Sequence, residues 1–394
     1  MGLILTCRHH DGFCLWPTRT TAHSVAASPC PTDVVGACAA ACRAEGLDFG
    51  VYLSPWDRHS PVYGQGKAYD DVFVAQLTEL LTGYGPVFCV WLDGACGEGP
   101  NGKKQVYDWD RYVRTVRSLQ PDACVCVCGP DIRWCGNERG ETRPAEWSVV
   151  DAALRDAEKV AEKSQHADDE IFRTLSSRDP DLGSREALAK AETLCWYPCE
   201  VNTSIRPGWF WHRREDGQVK PPETLFDLYE RTVGGNAVLL LNVPPDSRGL
   251  LADPDVAALR ALGGMIRGVY GRECTAEAEL TASSQAPGHA AACLLDPAME
   301  TCWSPETDGP SFVCLRFPSP RFLKRLVLQE NILRSQRVEE FAVDLLENGA
   351  WTEACRGETI GFRRILPVDR AVSGLRVRFL RSRGRVMLRR LQVF

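Results

Sequence analysis

Two carboxylates stand out by where they fall. Asp93 ends an apolar run, Val87-Phe88-Cys89-Val90-Trp91-Leu92, and is followed by Gly94, Gly97 and Gly99. Such a run reads as a strand covered on both faces. Its C-terminal end is where a β/α barrel projects catalytic groups; capping a turn is the plainer role for the same Asp. Glu138 lies beyond the next apolar stretch, in a loop rich in glycine, and Glu146 and Glu200 are further carboxylates after strands. Two carboxylates at one barrel mouth suit glycoside hydrolysis. One attacks the sugar, the other protonates the leaving oxygen and then activates water, and in retaining enzymes they stand about 5 Å apart.

The side chains gathered with them fit a sugar ligand. Trp56, Trp134, Trp147, Trp209 and Trp211 fall in or beside loops, where an indole packs on the apolar face of a sugar ring; core packing is the ordinary role of any one of them. His9 and His10 are adjacent at the end of the first strand. A metal needs three or four ligands, and no third ligand has a telling spacing. Hydrogen bonding to sugar hydroxyls suits these two better. Tyr52 and Arg206 complete the binding candidates, while His59 and His212 fit satisfied structural histidines equally well.

These residues need a scaffold that brings strand ends together. Strands are expected at residues 3–6, 49–53, 87–93, 123–128, 193–197 and 237–243. Helices are expected at 34–45, 70–83, 110–119, 225–233 and 255–270. Alternation at this spacing means βαβ units and a parallel sheet. The polar and aromatic residues collect after strands, which favours a (β/α)8-type barrel with one working face. The charged stretch 151–190 reads as an excursion at the barrel rim. From residue 273 the pattern changes to short alternating strands at 312–317, 325–329, 340–346, 374–380 and 386–394, a β-sandwich. The expected domains are therefore 1–272 and 273–394.

Bulk properties narrow the class. The 394 residues suit two domains. A hydrophobic content of 44% supplies ordinary cores. The net charge of -6 argues against sequence-independent nucleic-acid binding. No apolar run reaches the length of a membrane span. The 18 cysteines show no paired C-x-x-C spacing, so they read as buried thiols of a reducing, cytoplasmic compartment rather than a zinc site or a disulfide framework.

Several runs together resemble the family 29 α-L-fucosidases. They are His9-His10-Asp11-Gly12-Phe13 with Leu15-Trp16, Val90-Trp91-Leu92-Asp93-Gly94, the Ser-Ile-Arg-Pro-Gly-Trp-Phe run from Ser204 to Phe210, and Leu-Leu-Leu-Asn-Val-Pro-Pro from Leu239 to Pro245. They occur in family order over nearly the whole chain. The run from Tyr52 to His59, with Gly136-Asn137-Glu138, resembles the subgroup that prefers α-1,3/1,4-linked fucose.

The resemblance implies a retaining mechanism with Asp93 as nucleophile and Glu138 as acid/base. It implies that His9, His10 and Tyr52 hold fucose hydroxyls, with Trp56 and Arg206 as weaker carry-overs. No metal or organic cofactor is expected, and the partner is a fucosylated glycan. A fucose-binding remnant without catalysis is the alternative. The C-terminal domain resembles galactose-binding-like sandwiches near Leu294-Leu295-Asp296 and Trp303, and either braces the barrel or touches distal sugar. Six expected barrel strands fall short of eight, so the barrel is expected to be N-terminally incomplete.

Overall fold

The computed structural model describes residues 1–156 and 175–394. The stretch expected as a rim excursion lies partly outside them. The described residues form two compact units by internal packing. The first comprises Met1–Trp134, Asp151–Asp179 and Ala191–Tyr197, and the second Cys135–Val150, Pro180–Lys190 and Pro198–Phe394. The expected boundary at 272/273 lies inside the second unit.

In the first unit, β1 (Gly2–Arg8), β2 (Asp48–Leu53), β3 (Cys89–Leu92) and β4 (Cys124–Val127) form a parallel sheet in sequence order. The crossovers carry α1 (Val34–Ala44), α2 (Lys67–Gly83) and α3 (Trp109–Leu119). Register is continuous: Leu5, Val51, Val90 and Val125 lie side by side. Val51, Val90 and Val125 have no exposed surface, which explains the unbroken apolar runs. One residue on, Thr6, Tyr52, Trp91 and Cys126 form the next row, and by the pleat they face the other way.

Helix α2 buries Phe73, Leu77, Leu80 and Leu81, each worth roughly 1.5–3 kcal/mol of apolar burial. The Asp33 and Asp108 side chains cap α1 and α3, accepting from the Gly36 and Arg111 amides. At the far end of α3, Gln120 donates to the Leu81 carbonyl over 2.8 Å and accepts from the Val87 amide over 3.2 Å. That one side chain ties α3, α2 and the start of the Asp93 strand together.

The second unit opens with β5 (Cys199–Ser204), α4 (Pro222–Thr232), β6 (Ala237–Asn242) and α5 (Asp253–Tyr270). β5 and β6 pair in parallel from Cys199↔Ala237 to Ser204↔Asn242. This corrects the expected fifth strand. Residues 194–196 form only a three-residue strand, and the parallel strand comes later, where Glu200, Asn202 and Ser204 look like loop residues. All six residues of β5 are buried, so its polar alternation faces the protein interior. Among the described residues no eight-stranded ring closes, and the (β/α)8 expectation is met in its βαβ units only.

The C-terminal region is antiparallel: β7 (Glu279–Ala282), β8 (Ser311–Glu330), β9 (Val338–Glu347), β10 (Ala350–Gly357), β11 (Arg364–Ser382) and β12 (Leu388–Val393). The long strands β8 and β11 pair with a register break between Arg316 and Arg321. Before the break β8 takes β7 as its other neighbour, and after it β12. Strands that change partner across a bulge let one ladder wrap a core. That core includes Trp303, Val313, Phe341, Leu375, Val377 and Phe379. The Glu230 carboxylate of α4 pairs with Arg325 at 2.7 Å, and Lys324 donates to the Gly268 carbonyl at 2.8 Å. These bonds fasten α4 and α5 to the sandwich, which is why packing does not divide the chain at residue 272.

Candidate active site

The carboxyl ends of β1, β2 and β3 carry most of the expected site residues. Asp93 follows β3 directly. Its Oδ1 accepts from the Ala95 amide over 2.7 Å, and its Oδ2 accepts from the Tyr52 hydroxyl over 2.7 Å. Both bonds orient the carboxylate. Burial, and after it the Asp93 charge, push the Tyr52 phenol far above its usual range. Tyr52 therefore stays protonated and donates.

His9 stacks on Tyr52, with ring centroids 5.7 Å apart, and lies 4.0 Å from the His10 ring. The His10 ring in turn lies 4.8 Å from that of Trp56. Burial lowers both imidazoles, His10 to about 4 with His9 as the second cause, while Asp93 pulls the other way. Both are neutral at pH 7. Ser54 Oγ donates to the Trp56 carbonyl over 2.8 Å and meets His10 Nδ1 at 2.7 Å. The single hydroxyl hydrogen is thus committed, so His10 Nδ1 must be the donor and Nε2 the acceptor. A neutral imidazole with an open acceptor suits a sugar hydroxyl.

Beneath this cluster lies Arg8, with no exposed surface. It pairs with Asp57 at 3.1 Å, donates to Gln76 and the Ser54 carbonyl, and meets the Tyr69 hydroxyl at 3.0 Å. It binds the end of β1 to the loop after β2 and to α2. Asp57 also accepts from the His59 and Ser60 amides, each over 2.8 Å. Gly12, at φ +77°, turns the chain back: a Cβ there would stand 2.4 Å from Asp57 Oδ1. The His-His-Asp-Gly run is therefore a turn that only glycine closes. His59 is exposed and stacks on His23 at 3.8 Å.

Glu138 and Arg206 belong to the second unit. There a cleft of about 390 Å³ is lined by Glu138, Thr203, Ser204, Arg206, Trp209 and Lys220. The Trp209 indole donates to Glu138 Oε2 over 3.1 Å. Asn242, at the end of β6, donates to Ser204 Oγ over 2.9 Å and to the Trp209 carbonyl over 3.0 Å. Lys220 donates to the Ser204 carbonyl, and burial lowers its ammonium.

Arg206 lines this cleft, yet its guanidinium is committed to protein: Nε meets Asp255 at 2.9 Å and Nη2 meets Asp216 at 2.9 Å. Its role in the structure is to clamp the Ser204–Phe210 loop that presents Trp209. Of the five expected indoles Trp147 is buried, Trp56 packs against His10 and Trp209 donates to Glu138. Among the described residues no group of three His, Cys, Asp or Glu is placed to hold a metal.

Arg8, Ser54, Lys220 and Asn242 were not expected from the sequence. A charge directly before His9-His10 at the end of an apolar strand is the signal for Arg8. An Asn ending the Leu239-Leu240-Leu241 run is the signal for Asn242.

The family profile described as Alpha-L-fucosidase matches residues 3–269. A rice (Oryza sativa subsp. japonica) protein provisionally named α-L-fucosidase 1 is 38% identical over 92% of the chain and 67% of its own length. The Arabidopsis thaliana protein named α-L-fucosidase 1 is 34% identical over 92% and 69%. A Bacteroides ovatus crystal structure, provisionally described as an α-L-fucosidase, superimposes with a TM-score of 0.84 at 39% identity, covering 100% of the chain and 63% of that protein. The chain thus spans about two thirds of the length of these relatives. With matches of this extent across both its parallel and antiparallel parts, the chain belongs to the α-L-fucosidase family of glycoside hydrolases, family 29.

Proposed function

We propose that this chain is a retaining exo-α-L-fucosidase that releases terminal α-1,3/1,4-linked L-fucose from glycans. The observation that carries the reading is Asp93 at the carboxyl end of β3, its Oδ2 held by Tyr52 beside two neutral histidines. In this mechanism Asp93 attacks the anomeric carbon and expels the glycan oxygen, forming a fucosyl ester. Glu138 gives that oxygen its proton and then takes one from the water that cleaves the ester. His9, His10 and Tyr52 bind the fucose hydroxyls, and Trp56 packs on the ring. Arg206, committed to Asp216 and Asp255, acts by holding the Trp209 loop. The 1,3/1,4 preference rests on the likeness of the Tyr52–His59 and Gly136–Glu138 runs to that subgroup.

The test is fucose release from a Lewis-type trisaccharide by the chain and by Asp93→Gly. Loss of turnover, with azide restoring it on an aryl fucoside and yielding the β-fucosyl azide, supports Asp93 as nucleophile. Full activity in the variant removes it from that role. Fucose binding by the parent chain with no turnover at any pH favours the non-catalytic alternative.

A further inference from the structure

The C-terminal sandwich contains a cleft that the fucosidase chemistry does not use. Its volume is about 400 Å³, and its lining includes His289, Ser304, Asn331, Arg334, Arg337 and Arg385. That size is ordinary for a small-ligand site. Backbone pairing builds it from three connections. Asn331 N donates to the Met387 carbonyl over 2.8 Å, and Trp303 exchanges bonds of 2.8 and 3.0 Å with Leu388.

Two features are unexplained by folding alone. The first is charge. Several arginines elsewhere in the sandwich are matched by carboxylates: Arg376 and Arg378 with Asp344, Arg383 with Glu339, Arg325 with Glu230. At the cleft they are not. Arg337 donates to the Arg334 and Arg385 carbonyls, and Arg385 to the Glu306 carbonyl. Among the described residues none of Arg334, Arg337 and Arg385 has an ion-pair partner. The exposed Glu300 is the one carboxylate lining the cleft. The second feature is Asn331. It is 2% exposed, its amide nitrogen donates to the Glu300 carbonyl at 3.3 Å, and its Oδ1 is buried with no partner. Swapping the two amide atoms would set two acceptors against each other, so the orphan is the oxygen. Buried acceptors are normally satisfied.

The cleft therefore asks for a ligand with an anion for the guanidinium forks and a hydroxyl hydrogen for Asn331. We propose that it binds an acidic sugar, with Arg334 and Arg385 holding a carboxylate or sulfate ester and Asn331 Oδ1 accepting from a ring hydroxyl. Preferring a sugar to another hydroxylated anion rests on the family reading, whereas the anion does not.

Calorimetric titration of the full chain with galacturonate, galactose 6-sulfate, galactose and inorganic sulfate tests this. Both acidic sugars should bind at least about tenfold more tightly than galactose and than sulfate alone. The double variant Arg334→Glu, Arg385→Glu should lose that binding by more than about tenfold, with its melting temperature and aryl-fucoside hydrolysis unchanged. Equal binding of galactose, or unchanged affinity in the double variant, overturns the proposal. Sulfate binding as tightly as the sulfated sugar overturns its sugar part. Binding and hydrolysis are read separately, so failure of one is distinguishable from failure of the other.

Discussion

The Tyr52 hydroxyl donates to Asp93 Oδ2 over 2.7 Å, from the strand next to the one that Asp93 terminates. The bond fixes the carboxylate's rotamer, and the tyrosine ring is itself fixed between His9 and Trp91. Tyr52→Phe keeps the ring and removes only the donor. A hydrogen bond to a charged group contributes about 1.5–3 kcal/mol, so kcat/KM on an aryl fucoside should fall by roughly 10- to 100-fold with little change in melting temperature. Unchanged kinetics would show that the bond does not serve the reaction.

Trp209 and Glu138 make the matching pair in the second unit, with the indole N–H on Glu138 Oε2 at 3.1 Å. An acid/base matters most when the leaving group is poor. Trp209→Phe should lower kcat/KM about tenfold on a natural disaccharide linkage and leave a nitrophenyl fucoside nearly unaffected. An equal loss on both substrates would point to Trp209 as a binding surface.

How far the sequence discloses this site depends on what each residue packs against. Asp93 was legible because its strand is apolar to the last residue and the carboxylate breaks the pattern. The five α-helices among the described residues were legible from apolar spacing, to within a turn at their ends. β5 was hidden because Glu200, Asn202 and Ser204 point into a polar interior, where burial and hydrophobicity part company. Arg8 was hidden for the same reason: its partners Asp57, Tyr69 and Gln76 lie up to 68 residues away. Strand β10 was missed because its alternation is weak, with exposed Thr352, Glu353 and Ala354 in succession. Arg206 was expected to bind substrate, whereas the ion pairs that hold its guanidinium come from Asp216 and Asp255, which no local spacing links to it.

Those ion pairs give a stability prediction. Arg206 and Asp255 have no exposed side-chain surface and meet at 2.9 Å. Removing one partner of a buried pair costs about 3–5 kcal/mol, and the loss here lies toward the lower end because Arg206 keeps Asp216. Asp255→Ala should therefore lower the melting temperature markedly. The double variant Arg206→Met, Asp255→Leu should recover most of the loss, because it buries no charge, while activity stays low if the Trp209 loop needs its clamp. Equal melting temperatures for both variants would refute the pairing.

Glu330 gives a pH dependence of the opposite sign to the usual carboxylate. It is 1% exposed at the end of β8 and accepts from the Arg337, Val338 and Gly361 amides at 2.7, 2.9 and 2.8 Å. Burial nevertheless outweighs those donors and pushes its carboxyl from 4.5 up to about 7. The unfolded chain thus releases this proton more readily than the folded one, and between pH 4.5 and 7 the folded state holds more protons. Stability from this group is fully present below pH 4.5 and declines as pH rises through 7. A displacement of this size is worth about 3 kcal/mol. Paired carboxylates such as Glu353 and Asp246, whose pKa values are lowered, act in the opposite sense but at lower pH. Glu330→Gln keeps an acceptor for the amides and cannot ionise. The melting temperature of the parent should fall from pH 5 to pH 8 more steeply than that of the variant, and parallel curves would show that Glu330 carries its charge in the folded state at no cost.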